Sequence, residues 1–293
     1  MKKSIRKWFI LLGATLALAL VLASCGGSPL SGSFKIIGSN TLTPLSSVWA
    51  EEFMAAHSNV SISVSGPGTG PGIAALIDGT TDIAQASRNI TQSEIAQAEA
   101  KGVHPYEIHV ANDGLSVVVN PSNNVSELTT AQLSAIYTCN ITNWRDVGGK
   151  DAPVVVLSRD TSSGSHDFFL QRVVQMQGLP TQNTTLQYGS EVLFLSSTEA
   201  GITEVAQNPN AIFYAGLAYV TNQTKVVALK KTASDPAVLP SKETVLDGTY
   251  YLARPLFYYT NGAPTGVIKT FIDYCLSPAG QEKVSEVGYV PLA

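Results

Sequence analysis

Strand-like and helix-like segments alternate along most of this chain, and that alternation limits its fold more than any other feature. Phe34-Lys35-Ile36-Ile37 reads as a strand, 41–56 as a helix with Leu45, Val48, Trp49 and Phe53 near one face, and 60–64 as a strand with apolar residues at every second position. A helix opens near Gly70, Asp82-Ile83-Ala84 is short and buried, and Thr91-Gln92-Ser93-Glu94 is a capping box that starts a helix ending at Lys101-Gly102. The apolar run 115–119 begins a second region: a helix after Thr129, a strand over 154–157, a helix over 164–176, another after Ser197 and a buried strand over 211–219 that turns at Gly216. A strand over 256–259, a helix over 265–274 and the Ser277-Pro278 helix start complete the chain. This βαβα rhythm is that of an α/β layered protein.

Three loops share one design: strand, then Gly and hydroxyl residues, then a helix start. They are Gly38-Ser39-Asn40-Thr41, Gly66-Pro67-Gly68-Thr69-Gly70 and Arg159-Asp160-Thr161-Ser162-Ser163-Gly164-Ser165. A helix start exposes unpaired N–H groups and partial positive charge, so it attracts anions. Ser or Thr in that place is also an ordinary N-cap, and each loop alone has that reading. Three together, one carrying Arg159, point to an oxyanion. Arg159 directly follows an apolar strand, and its fork matches a tetrahedral anion; a solvated or structural charge is the other reading of that position.

Lys2, Lys3, Arg6 and Lys7 precede a 16-residue apolar run, 8–23. That length is short of the roughly 20 residues of a membrane span and suits a signal peptide over 1–24; an uncleaved N-terminal anchor is the alternative. Leu22-Ala23-Ser24-Cys25 resembles a lipobox, which implies cleavage before Cys25 and lipidation of its thiol, with a Gly/Ser-rich tether over 25–33. Four of the 18 basic residues leave with the leader, so 14 face 22 acidic ones, a net of −8. That balance argues against nucleic acid and against a broad cationic field; an anion site has to be local. Cys139 and Cys275 are open to a disulfide in an exported protein or to two buried thiols.

The same loops carry a family resemblance. Gly38-Ser39-Asn40-Thr41, Gly72-Ile73, Ala86-Ser87-Arg88, Ile141-Thr142-Asn143-Trp144, Ser158-Arg159-Asp160 through Ser163-Gly164-Ser165, and Leu276-Ser277-Pro278-Ala279-Gly280-Gln281 occur in one order over residues 34–292. Together they resemble the substrate-binding protein of the phosphate ABC transporter. The resemblance implies a two-lobed periplasmic-binding-protein fold, lobe 1 from 34–112 plus 254–293 and lobe 2 from 113–253. Two crossings near 110–114 and 250–254 form a hinge, and each lobe is expected to hold its own sheet. It implies a phosphate site of Asn40, Thr41 with the Leu42 amide, Thr69, Ser87, Arg159, Ser163, Gly164 and Ser165, with no metal and no cofactor. It also implies a membrane permease as partner and a monomer lipid-anchored on the outer face of the cytoplasmic membrane, in the periplasm or at the cell surface.

Two departures bear on selectivity. The family's acidic acceptor falls on Ser87, and its second-loop serine on Thr69. Phosphate keeps a proton at neutral pH and sulfate does not, so a buried carboxylate accepts from one and repels the other. Asp160 is the candidate acceptor; a carboxylate that orients Arg159 is the other reading. Phe213 stands where a small residue is typical, a local packing change.

A hydrolase is disfavoured. Ser165, His166 and Asp167 are consecutive and cannot converge as a triad, and there is no Gly-x-Ser-x-Gly elbow. His166 reads as a surface or supporting residue. His57, His104 and His109 lack zinc-ligand spacing. Sulfate, molybdate or tungstate binding, or a phosphate-sensing role at the cell surface, remain open on the same fold.

Overall fold

The computed structural model describes residues 30–292, so the leader and Cys25 lie outside the described residues. β1 (Ser31–Gly38) turns its buried Phe34 and Ile36 inward. It pairs in parallel with β2 (Asn59–Ser65), reached through α1 (Thr43–Ala56). Leu45, Trp49 and Phe53 recur every fourth residue on the buried face of α1, and the Trp49 indole donates to the Gly280 carbonyl at 2.8 Å. Ser31–Ser33, which read as the end of the tether, are already paired with Asn59–Ser61. α2 (Thr69–Ile77) leads to β3 (Ile83–Ala86), parallel to β1 on its other side. The Thr91/Glu94 capping box starts α3 (Gln92–Ala100).

β4 (Pro105–Val119) is a 15-residue strand, longer than the apolar run 115–119 noted in the sequence. After it come β5 (Glu127–Thr129), α4 (Thr130–Tyr137), β6 (Val155–Arg159), α5 (Gly164–Phe169), β7 (Leu193–Leu195), α6 (Thr198–Gln207) and β8 (Ala211–Gly216). α5 does not run on as an α-helix to 176: Leu170–Val174 widen into a π turn. β9 (Lys225–Val226), β10 (Ala228–Lys230) and α7 (Lys242–Leu246) precede β11 (Ala253–Asn261). α8 (Gly266–Leu276) and α9 (Pro278–Val287) close the chain.

One long strand joins the two halves. β4 pairs antiparallel with β11 over Pro105–Gly114 and with β8 over Leu115–Val119, giving the strand order β2-β1-β3-β11-β4-β8-β6-β7. Instead of the separate sheets expected for the two lobes, the hydrogen-bonded path is continuous, because β4 does not break where it passes between them. The packing does break there. Phe34, Ile36, Trp49, Val110, Ala111, Leu256, Tyr258 and Phe271 share one core. Leu115, Val117, Trp144, Phe169, Tyr214 and Leu252 share another, which Val290 joins from the C-terminal end. The result is a mixed α/β fold of two lobes, with the change of core falling at 112–114 on β4 and 253–255 on β11. Cys139 and Cys275 are both free thiols. Phe213 is fully buried against Gly201 of α6, where any β-carbon would collide with its ring, so glycine there makes the space the larger side chain takes.

Candidate functional site

The three Gly/hydroxyl loops meet at the start of α5. Loop one leaves β1 at Gly38, which has φ +151° and lies so close to the Gln85 carbonyl that a β-carbon would strike it. The Ser39 amide donates to that carbonyl at 2.7 Å. Gln85, fully buried, donates from Nε2 to the Ser39 carbonyl and Thr43 Oγ1, both at 3.0 Å, and accepts from Ser46 at 2.6 Å. This amide is the anchor of loop one, and sequence reasoning misses it.

Across the gap, Thr41 Oγ1 lies 3.2 Å from Ser165 Oγ. Thr69, the first residue of α2, accepts from the Ser87 amide at 3.2 Å and lies 3.4 Å from its hydroxyl. Gly164 faces that pair: a β-carbon on it would stand 2.5 Å from Thr69 Oγ1 and 2.7 Å from Ser87 Oγ. The Gly70 amide donates to the Ser162 carbonyl at 3.2 Å, which joins loop two to loop three. Thr41, Thr69, Ser87, Arg159, Ser163 and Ser165 are all buried. Leu42 is the exception among the residues expected here: its amide donates to the Ser39 carbonyl at 3.1 Å inside the 3-10 turn Asn40–Leu42, so that donor is spent locally, and its side chain is core.

Arg159 is 1% exposed, and every partner it has is neutral. Nε donates to the Leu195 carbonyl at 3.2 Å, Nη2 to the Ser196 carbonyl at 2.9 Å, and Nη1 to Thr198 Oγ1 at 2.8 Å and Asn40 Oδ1 at 3.2 Å. No carboxylate forms an ion pair with it among the described residues. Burial therefore pulls its pKa below the usual arginine range, against a smaller opposing pull from the charge of Asp160. Asn40 thus orients the arginine, and its own carbonyl accepts from the Tyr219 hydroxyl at 2.9 Å. Tyr214, whose sequence position marks it only as core, accepts from the Arg159 amide at 3.2 Å and lies 2.7 Å from Ser158 Oγ.

Asp160 does not orient Arg159 through a direct bond. Its Oδ1 accepts from the Ser162 amide at 3.0 Å and the Ser162 hydroxyl at 2.5 Å, which folds the third loop, and it makes no hydrogen bond to Arg159. Ser163 caps α5 by accepting from the Ser165 amide at 3.2 Å. His166 is buried rather than on the surface, with Nδ1 3.0 Å from Asp167 Oδ1. The loops thus bring together a cluster of buried hydroxyls, and the third also carries a buried guanidinium hydrogen-bonded only to neutral groups, chemistry suited to a small oxyanion.

Comparison with known proteins agrees with that chemistry. Residues 23–279 match the PBP superfamily domain. A phosphate-binding protein PstS of Staphylococcus aureus (strain USA300) is 33% identical over 97% of this chain and 88% of its own length. The chain belongs to this family of phosphate-binding proteins. Among solved structures, the family member from Clostridium perfringens, a putative phosphate ABC transporter substrate-binding protein with bound phosphate, has 30% identity and a TM-score of 0.76 over 89% of this chain and all of the other. An ABC-type phosphate transport receptor from Vibrio cholerae has 28% identity and a TM-score of 0.70, over 88% of this chain and all of its own.

Proposed function

We propose that this chain is an extracytoplasmic solute-binding protein that captures inorganic phosphate between its lobes and hands it to an ABC-transporter permease. The observation that carries the reading is Arg159, a buried guanidinium held only by neutral acceptors. An unpaired buried charge is costly, and a bound anion would supply the missing partner. Thr41, Thr69, Ser87, Ser163, Gly164 and Ser165 surround the space that partner would take, with Asn40 steadying the arginine. The S. aureus relative and the phosphate-bound C. perfringens structure favour phosphate as the anion. The reading is of a binding protein rather than an enzyme.

The lobes would run over 34–112 plus 254–293 and over 113–253, hinged at the two crossings, so that closure encloses the anion with donors from both sides. Delivery to a permease requires export, for which the basic and apolar leader and the Cys25 lipobox provide a route; no helix among the described residues is long and apolar enough to span a membrane. Metabolic labelling with a lipid precursor, lost in Cys25→Ala, tests the anchor.

A second reading, an oxyanion other than phosphate, is favoured by one observation: among the described residues, no carboxylate is hydrogen-bonded to the hydroxyl cluster of Thr41, Thr69, Ser87 and Ser165. Titration calorimetry with phosphate, sulfate and molybdate separates the two. Tight binding of phosphate alone supports transport of phosphate, and tighter binding of sulfate or molybdate would replace it.

A further inference from the structure

We infer that Asp113 and Arg254, which no part of the anion site includes, form a positioning pair that sets Ser87 against the bound anion and ties it to the pivot between the lobes. The inference rests on the phosphate-binding reading of the site. The two residues are directly opposed in the antiparallel ladder of β4 and β11, at the point where the chain leaves one core for the other. Arg254 Nε and Nη2 donate to Asp113 Oδ2 at 3.0 and 2.8 Å, and the side chains are 1% and 0% exposed.

A pair of apolar residues would hold two strands together without removing two charges from water. What apolar residues could not do is grip the polar groups around this pair. Arg254 Nη1 donates to the Ser87 carbonyl at 3.2 Å, while Asp113 Oδ1 accepts from the Leu217 amide at 2.9 Å, just after β8. The guanidinium also lies over the Phe168 ring of α5, 5.4 Å from its centroid. One fork therefore touches the site loop of the first lobe and the site helix of the second.

Ser87 needs such a grip. The ladder that holds β3 to β11 ends at Ala86, opposite Phe257, so the Ser87 peptide leaves the sheet without strand partners. Its amide is bound by Thr69 Oγ1 and its carbonyl by Arg254. With Arg254 in place the Ser87 hydroxyl is fixed toward Thr69 and Gly164. Without it one end of that peptide is free to turn. Lysine in place of Arg254 keeps a cation for Asp113 but lacks the planar fork that spans Asp113 and Ser87 together.

The test is a double-mutant cycle of Arg254→Lys and Ser87→Ala, read as phosphate dissociation constants by calorimetry, with thermal unfolding of the ligand-free proteins alongside. Arg254→Lys is expected to weaken phosphate about tenfold, the worth of one charge-assisted hydrogen bond. In the Ser87→Ala background its effect should shrink to about threefold or less, because the hydroxyl it positions is gone. A purely structural role would lower the unfolding temperature and weaken binding by the same factor in both backgrounds; that result, or parent-like affinity in Arg254→Lys, overturns the inference. Should Arg254→Lys fail to fold, Asp113→Asn, which still accepts from Leu217, is put through the same cycle with the same criterion. A parent protein that does not bind phosphate would sink the phosphate reading and this inference with it, an outcome distinct from the failure of the coupling alone.

Discussion

Arg88 Nε lies 2.9 Å from Asp167 Oδ2, joining the residue after Ser87 in one lobe to the site helix α5 of the other. The same guanidinium holds both oxygens of Glu94, at 2.8 and 2.9 Å, so Arg88 is braced within its own lobe and its bond to Asp167 is the one that spans the cleft. Asp167 is one-third exposed, which places this ion pair at the edge of the site rather than within it. Breaking it should ease opening more than it changes entry. Asp167→Asn is expected to speed phosphate release about fivefold, from roughly 1 kcal/mol for a partly buried pair, with association little changed. Stopped-flow traces showing an unaltered release rate would dismiss the latch.

The same cluster makes stability depend on pH. Burial by itself would raise the Glu94 carboxyl, but hydrogen bonds from Arg88 and the Thr91 backbone outweigh it and hold the group below its ordinary value of 4.5. A depressed folded value means the stabilisation is complete above the unfolded value and is lost as pH falls through the folded one. Glu94→Gln should therefore be less stable than the parent near pH 7, and the gap should close as pH falls below the ordinary carboxylate value of 4.5 and the parent's carboxylate takes up its proton. Urea unfolding at several pH values checks this; a constant gap across those values contradicts it.

Features that depend on neighbours in the chain are legible from the residues alone. The capping box at Thr91 needs only residues three apart and is present, and the helix expected after Thr129 opens on a capping box of its own. The Gly/hydroxyl loops are visible for the same reason. What the sequence hides depends on distant partners. Asn112-Asp113-Gly114 falls at the expected crossing between the lobes, yet it lies within β4, because Arg254, 141 residues away, neutralises Asp113 where a strand interior would otherwise reject it. Gln85 sits in a short apolar run and Tyr214 in a longer one, so each reads as core. Their polar groups find partners on loop one and at Arg159 only after folding. Leu42 differs in another way: the resemblance gives its amide to the ligand, and here that amide donates to the Ser39 carbonyl inside the 3-10 turn.

Removing the guanidinium should be the most damaging single change to binding. Arg159→Ala deletes the charge opposite the anion, takes from Thr198 Oγ1 its donor and leaves Asn40 Oδ1 with the Thr198 amide alone. A loss of about 3–5 kcal/mol is expected, or about two to four decades in affinity. Because the ligand-free parent holds a buried cation with neutral partners only, its stability should suffer much less than its affinity. Calorimetry and unfolding of the same sample compare the two, and parent-like phosphate binding would move the site elsewhere.

Gly164 tests closure without touching charge. Its backbone carries no positive φ, so alanine should be accepted by the first turn of α5, and the ligand-free protein should be as stable as the parent or slightly more so. With the lobes placed as in this structure, however, the new methyl would stand 2.5 Å from Thr69 Oγ1 and 2.7 Å from Ser87 Oγ. Gly164→Ala should then hold the lobes apart and cost at least about tenfold in phosphate affinity, comparable to mild overpacking of a core. Small-angle scattering with saturating phosphate should show a more open particle than the parent. Full closure at parent affinity would mean that the three loops do not meet at the start of α5.

Selectivity turns on whether the proton of phosphate has a carboxylate to go to. Asp160 spends Oδ1 on the Ser162 amide and hydroxyl, and an asparagine oxygen could accept both bonds as well, so Asp160→Asn should keep the loop folded. What it removes is a negative charge beside Arg159, whose field acts on phosphate and sulfate alike. On that geometry both anions should shift in affinity by the same factor, leaving their ratio unchanged. A rise for sulfate with a fall for phosphate would instead make Asp160 the proton acceptor, since only a group facing the ligand's hydroxyl tells the two anions apart. Ser87→Ala supplies the third arm of the same competition series. A serine hydroxyl can accept from phosphate or donate to sulfate by rotating, so a site that relies on it should discriminate weakly in the parent. Strong preference for phosphate in the parent, kept in both variants, would exclude Asp160 and Ser87 together and place the acceptor on another residue.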